Sequence, residues 1–108
     1  KIIKTFLKIN CKLSRLNDEL LNFAKKNKLK KNIFKNFKSI QNLKKINQDI
    51  SFITNFGRDV EYYTGIVFEV FSGTKEIASG GRYDDLLKSL GAKKNIPAVG
   101  AAINLNNI

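Results

Sequence analysis

The apolar residues of this chain change their spacing once, near residue 48, and this change limits the possible folds more than any other feature. Before it, apolar residues recur at steps of three and four; after it, they form short β-branched and aromatic runs bounded by glycine-containing turns. The first pattern is typical of helices that bury one face, and the second is typical of strands. Helices followed by strands predict an α+β fold, with an antiparallel sheet flanked by helices.

Two helices are predicted in the first part of the chain, whereas residues 1–10 are too short and mixed to assign. The first helix begins at Ser14, and a polar break over residues 25–31 separates it from the second. Two phenylalanines of the second helix could line a cofactor, but packing in a core is the favoured interpretation. The predicted core positions are Leu13, Leu16, Leu20, Leu21 and Ala24 in the first helix, and Ile33, Phe34, Phe37, Ile40, Leu43 and Ile46 in the second.

The second part of the chain predicts strands, a hairpin and one short helix. The strand over residues 65–71 is expected to turn at residues 72–75 and return as a partner strand over residues 76–79, which Gly80 and Gly81 end. A helix over residues 82–90, with Asp84 and Asp85 in its first turn, is expected to stop at Gly91. The remaining predicted segments are a strand over residues 50–54, a turn over residues 55–57 and an apolar run over residues 98–103 after Pro97.

The positive charge lies almost entirely in residues 1–48, which carry 14 Lys and Arg against two acidic residues, whereas residues 49–108 carry six against seven. A basic segment can bind nucleic acid, or its lysines can simply solvate the outer faces of helices. The basic residues are 17 Lys and only three Arg, and arginine is preferred where phosphates or base edges are bound. Nucleic acid is therefore not the expected partner.

Several classes of site are excluded by composition. The chain has no histidine and a single cysteine, Cys11, so it can form no intrachain disulfide, Cys/His metal cluster or Ser-His-Asp triad, and neither a metal nor a cofactor is expected. It has no apolar run long enough to span a membrane and no secretory signal. Because it contains no methionine, we expect it to be part of a longer chain, to which the functional expectations apply.

Two segments carry polar residues that a purely structural strand would avoid: GRDVEYYTG at residues 57–65 and SGGRYD at residues 79–84. An arginine can hold a carboxylate through paired hydrogen bonds, acids can receive an ammonium or an imidazole, and glycines let a ligand approach the backbone. On residue chemistry alone, a pocket for a small zwitterion and a charged turn followed by a Gly-Gly strand end are equally good interpretations.

The same segments resemble a known family over roughly residues 50–108. GRDVEYYTGIVFEVF, SGGRYDDLLKSLG and IPAVGAAI are similar, in order and spacing, to the carboxyl-terminal part of the histidyl-tRNA synthetase catalytic core. In that family an R-G-L-D-Y-Y and a G-G-G-R-Y-D segment form the histidine pocket before a P-A-V-G-F-A strand. The resemblance implies a histidine-binding pocket at Arg58, Glu61, Tyr62, Tyr63, Gly80, Gly81, Arg82 and Tyr83.

The chain departs from the synthetase pattern after the IPAVG segment. In the enzymes a G-L-E-R sequence follows, and its arginine holds the ATP phosphates; here Asn104, Asn106 and Asn107 stand in place of the glycine, the glutamate and the arginine. An amide supplies neither the charge nor the paired donors of a guanidinium, on which formation of an adenylate depends. In this respect the chain resembles a non-catalytic branch of the family, the regulatory subunits of ATP phosphoribosyltransferase.

That branch implies a non-enzymatic, histidine-sensing protein that pairs with a short-form catalytic subunit in the first step of histidine biosynthesis. It implies a homodimer within a hetero-oligomer in the cytoplasm, and a true histidyl-tRNA synthetase is the alternative. Residues 1–108 are then the carboxyl-terminal part of one domain that resembles the catalytic core of class II aminoacyl-tRNA synthetases. Within it, residues 1–48 form a basic helical segment, and residues 49–108 form the sheet and helix that carry the motifs.

Overall fold

The computed structural model describes residues 1–46, 49–57 and 62–108, and the chain divides into two compact units, residues 1–56 and 57–108. The described elements are helices α1 (Ile2–Phe6), α2 (Leu16–Lys26) and α3 (Leu86–Ser89), and strands β1 (Asn10–Lys12), β2 (Ser51–Ile53), β3 (Val67–Ser72), β4 (Lys75–Arg82) and β5 (Val99–Ile103). Short 3₁₀ helices cover Leu13–Arg15, Lys31–Lys38, Ile40–Lys45 and Leu105–Asn107. These helices and antiparallel strands confirm the α+β class. None of the described helices is long and apolar enough to cross a membrane.

Helix α2 forms the centre of the first unit. Its first turn carries acidic residues and its last turn carries lysines, and these charges interact favourably with the helix dipole. The predicted helix is confirmed to within two residues, but Leu21 is wrong as a core position, because its side chain is 43% exposed. Phe23 is buried instead. It follows Leu16 by seven residues and Leu20 by three, so it lies on their face of the helix, whereas Leu21 is turned about 100° away from Leu20.

The second predicted helix is replaced by two 3₁₀ helices, and the backbone of Phe34 is non-helical within the first of them. A 3₁₀ helix repeats every three residues, so Phe34, Phe37 and Ile40 align on one side and pack against the core of α2. Ile33 and Ile46, which are 54% and 80% exposed, are wrong as core positions, and Leu43 is also exposed. The favoured interpretation of the two phenylalanines is confirmed, since their rings contact other phenylalanine rings at Phe6, Phe23 and Phe52.

Strand β2 confirms the strand predicted over residues 50–54, but its partner is β1, which begins at the end of the unassigned segment and was not predicted. The antiparallel register places Asn10 opposite Ile53 and Cys11 opposite Phe52. The hydroxyl of Thr54 donates to the carbonyl of Phe6 at 2.7 Å, which fixes the end of β2 against helix α1. This pairing assigns β2 to the first unit, so the boundary between units lies at residues 56 and 57 rather than where the spacing changes.

The second unit contains a three-stranded antiparallel sheet in the order β3-β4-β5. The predicted hairpin turn is confirmed, with Gly73 at a φ of +61°. The predicted end of the next strand is wrong: β4 continues through Gly80 and Gly81 to Arg82, and both glycines pair with β3 and β5. The N–H of Arg82 donates to Ile66 and that of Tyr83 donates to Ala98, each at 2.9 Å.

The backbone hydrogen bonds of Arg82 and Tyr83 also explain why helix α3 is short. Because Arg82 and Tyr83 keep strand-like pairing, α3 begins only at Leu86 and makes a single turn, instead of the predicted span over residues 82–90. Asp84 and Asp85 therefore precede the helix rather than lying in its first turn. The predicted left-handed stop is confirmed, because Gly91 has a φ of +103°.

Candidate functional site

The two sides of the β3-β4-β5 sheet carry different residues. Residues directly opposite each other in an antiparallel sheet point to the same side, and successive residues of a strand alternate. The side that we call the tyrosine face carries the rows Val67-Gly81-Gly100 and Glu69-Ser79-Ala102. The other side, which we call the apolar face, carries the rows Phe68-Gly80-Ala101 and Val70-Ala78-Ile103.

Two paired glycines form a floor on the tyrosine face. A Cβ atom added to Gly81 would lie 2.8 Å from two ring carbons of Tyr63 and 2.6 Å from the carbonyl oxygen of Ile66. A Cβ atom added to Gly100, the register partner of Gly81, would overlap the hydroxyl of Tyr83. The rings of Tyr63 and Tyr83 therefore lie directly on the backbone of β4 and β5, which only glycine permits at this distance.

Three tyrosines cluster above this floor. The ring centroids of Tyr62 and Tyr63 are 4.9 Å apart, those of Tyr62 and Tyr83 are 5.6 Å apart, and those of Tyr63 and Tyr83 are 6.3 Å apart. Tyr62 is exposed and the other two are half-buried. Such a cluster offers aromatic surface together with phenol groups that can donate or accept a hydrogen bond. An open groove of about 370 Å³ begins at Tyr62 and is lined further by Thr64, Asp85, Leu86 and Ser89.

Arg82 points away from this cluster. It follows Gly81 in β4, so alternation places its side chain on the other side of the sheet, and its methylene groups lie beside Gly65. Its Nε donates to both carboxylate oxygens of Asp84, at 3.0 and 2.8 Å. The backbone N–H of Asp84 donates to the hydroxyl of Thr64 at 2.9 Å, and the N–H of Thr64 donates to the carbonyl of Arg82 at 2.8 Å. Arg82 thus ties the tyrosine segment to the end of β4.

The structure brings together Tyr62, Tyr63, Gly81 and Tyr83 among the predicted site residues. Gly80 faces the apolar side of the sheet, where an added Cβ would overlap the backbone of Gly100. Arg58 and Glu61 lie outside the described residues. Sequence reasoning missed Gly100 and the row that contains Glu69 and Ser79. The alternation of residues 66–71 contains the signal for Glu69, but only the strand register shows which side is shared with the tyrosines.

The asparagines after β5 have structural roles. The N–H of Asn106 donates to the side-chain oxygen of Asn104 at 3.2 Å, which caps the last 3₁₀ helix. The side-chain amide of Asn107 donates to the carbonyl of Glu76 at 2.7 Å. These contacts hold the turn against β4 by neutral hydrogen bonds, and none of the three residues carries a charge that could bind a triphosphate.

Comparison with known proteins decides the family. The family model described as histidyl-tRNA synthetase matches residues 1–108, the whole of the chain. The chain belongs to the histidyl-tRNA synthetase family. The match includes the antiparallel sheet of the second unit and the three sequence motifs.

Within the histidyl-tRNA synthetase family, the chain is similar to proteins named ATP phosphoribosyltransferase regulatory subunit. The protein of that name from Agrobacterium fabrum is 36% identical over 100% of this chain and 31% of its own length. The one from Sinorhizobium fredii is 36% identical over 99% of this chain and 30% of its own length. The one from Allorhizobium ampelinum is 54% identical over 55% of this chain and 16% of its own length. The chain thus spans about a third of the length of the relatives that it matches from end to end.

Proposed function

We propose that this chain acts in a regulatory subunit of ATP phosphoribosyltransferase, as a non-catalytic partner of the catalytic subunit. The observation that carries the proposal is the 36% identity, over the whole chain, to a protein that bears this name. The same assignment makes histidine biosynthesis the pathway in which the protein works. A homodimer within a larger hetero-oligomer in the cytoplasm is the assembly that we propose for it.

Histidine is the ligand that we propose for the tyrosine face. An aromatic cluster over a glycine floor suits a flat imidazole ring, because the exposed ring of Tyr62 offers an aromatic surface that such a ring can contact. Arg58 is proposed to hold the carboxylate of histidine by paired hydrogen bonds, and Glu61 to receive one of its nitrogens. Gly80 and Arg82 are proposed to act through the strand end that supports the tyrosines, since their side-chain positions lie on the other face.

A histidyl-tRNA synthetase is the second candidate, and the description of the matching family model favours it. The asparagines after β5 argue against it, because adenylate formation needs a cation where Asn107 makes a neutral hydrogen bond to β4. Histidine-dependent exchange of pyrophosphate into ATP by the full-length protein separates the two candidates. We expect no exchange; a rate above that of a no-histidine control would favour the synthetase.

Calorimetry tests the proposed histidine site directly. We expect the full-length protein, with its catalytic partner present, to bind histidine. We expect Arg58→Ala to weaken this binding at least about 30-fold, because the carboxylate of histidine then loses its charged partner. Tyr63→Phe removes the hydroxyl group and keeps the ring, so a smaller loss of histidine affinity is expected. Arg15→Ala, which removes an exposed arginine of the first unit, is the matched control. Equal affinity of Arg58→Ala and the wild type would place the sensing site elsewhere.

A further inference from the structure

Glu69 is the charged residue in the described rows of the tyrosine face. It lies opposite Ser79 in the row next to the glycine floor, and β3 and β4 hold both residues in register. Glu69 is half-buried and Ser79 is only 9% exposed. Glu69 therefore places a half-buried carboxylate on the outer strand of this face, beside small side chains of β4 and β5.

The register places this carboxylate within reach of a ligand on the floor. Residues two apart on one strand are separated by about 7 Å, and diagonal neighbours on adjacent strands by about 7–8 Å, which long side chains can span. Gly81 is the diagonal neighbour of Glu69, and the ring of Tyr63 lies over Gly81. A molecule that contacts the ring of Tyr63 from the Ser79 side would therefore meet the carboxylate of Glu69.

A carboxylate beside an aromatic cluster is suited to an organic cation. The faces of tyrosine rings attract ammonium groups through their quadrupoles, and a carboxylate adds a charge-assisted hydrogen bond. We propose that Glu69 binds the α-ammonium group of the ligand, and that this contact sets the preference of the site for amino acids over their deaminated analogues. The identity of the ligand as histidine rests on the function proposed above; the role of Glu69 rests on the strand register.

The test compares two ligands that differ only in the ammonium group. Histidine and imidazolepropionate are titrated by calorimetry into the full-length protein and its catalytic partner, with the wild type and Glu69→Gln. We expect Glu69→Gln to weaken histidine binding by about 10-fold or more, the usual cost of losing a charged hydrogen bond. We expect its effect on imidazolepropionate to stay within about twofold, because that molecule has no ammonium group to lose.

Two further variants make the result specific. Glu69→Asp keeps the charge on a side chain shorter by one methylene, so we expect it to recover part of the histidine affinity. Glu76→Gln removes the same charge from β4 beyond the irregularity at Val70 and Phe71, five residues from Gly81, and is expected to leave both affinities unchanged. If Glu69→Gln leaves histidine affinity intact, or weakens both ligands equally, the proposal for Glu69 is overturned while the histidine site stands. If the wild type binds neither ligand, both proposals are overturned.

Discussion

Gly81 and Gly100 illustrate how single residues determine the candidate site. Neither glycine is required by a left-handed backbone; each is required because a tyrosine ring lies where its Cβ would be. A backbone carbonyl and an aromatic ring cannot move aside cheaply in a packed sheet. The identity of these two residues is therefore coupled to the presence of Tyr63 and Tyr83.

We expect Gly81→Ala to lower the free energy of unfolding by about 1–3 kcal/mol, the usual cost of overpacking, because the added methyl group overlaps the ring of Tyr63. The matched control is Gly57→Ala, where an added Cβ meets nothing within 4 Å; stability there should be unchanged or slightly higher. Denaturant unfolding of both variants in the full-length protein measures the difference. Equal stability of the two variants would mean that the tyrosine ring does not lie on the glycine floor.

Cys11 has a pKa raised above its ordinary value, chiefly by burial and next by the carboxylate of Glu19, while Arg15 acts in the opposite sense. The folded state holds the proton of the Cys11 thiol more tightly than the unfolded chain does. The stability that the protonated thiol contributes is therefore complete below the pKa of the unfolded chain. It is lost as the pH rises through the folded pKa.

The thiolate is the reactive form of cysteine, so we expect Cys11 to react with iodoacetamide more slowly in the folded than in the unfolded protein at pH 7.5. Glu19→Gln removes the like charge and should raise the rate. Mass spectrometry of the peptide that contains Cys11 follows the reaction over time. A folded protein that reacts as fast as the unfolded control would contradict the raised pKa.

At the scale of elements, the turn after β5 shows how uncharged side chains fix the end of a strand. The turn is capped by Asn104 and joined to β4 by Asn107, and the N–H of Asn104 also donates to the carbonyl of Ile77 at 2.9 Å. These hydrogen bonds fix the end of β5 without any charged group. Asn104 and Asn107 therefore stabilise this end of the sheet.

We expect Asn107→Ala to destabilise the protein by about 1 kcal/mol, because the carbonyl of Glu76 loses its donor in a half-buried position. Asn106→Ala is the matched control, since Asn106 is exposed and its backbone N–H, not its side chain, makes the bond to Asn104. Thermal unfolding followed by circular dichroism compares the variants. Asn107→Arg should also lose stability, and an Asn107→Ala variant as stable as the wild type would contradict a stabilising role for this hydrogen bond.

At the scale of the whole chain, burial is distributed unevenly between the two units. Among the described residues, the buried apolar side chains are Leu13, Leu16, Leu20, Phe23 and Ala24, all in the first unit. On the apolar face of the second unit, Phe68, Val70 and Ile103 are 39%, 43% and 62% exposed. A contiguous exposed apolar surface on a sheet whose outer strand β3 has an open edge promotes association.

We therefore expect the isolated 108-residue chain to self-associate rather than behave as a stable monomer. Sedimentation velocity at several concentrations should show species that grow with concentration. Val70→Lys, which places a charge on the apolar face of the edge strand, should reduce this association, whereas Lys75→Gln at the start of β4 should not. A monodisperse wild-type chain with a cooperative thermal transition would contradict the prediction.

The local patterns of the sequence were sufficient to predict helix α2, the hairpin turn at residues 72–75 and the α+β class. Each depends on neighbours within a few residues: a repeat of three and four, a glycine at a positive φ, and alternation along a strand. Residue chemistry and the resemblance to histidyl-tRNA synthetases predicted three tyrosines as site residues: Tyr62, Tyr63 and Tyr83. Alternation along an extended segment would place Tyr62 and Tyr63 on opposite sides, so the contact between their rings was not predicted.

Pairing between strands that are distant in the sequence determined the features that local patterns did not predict. Residues 10–12 join residues 51–53 across some 40 residues of chain, and no local pattern contains that partnership. The continuation of β4 through Gly80 and Gly81 depends on hydrogen bonds to β3 and β5 on either side. The same register separates Arg82 from the tyrosines and brings Glu69 to their face, because one residue of shift in a strand exchanges its two sides.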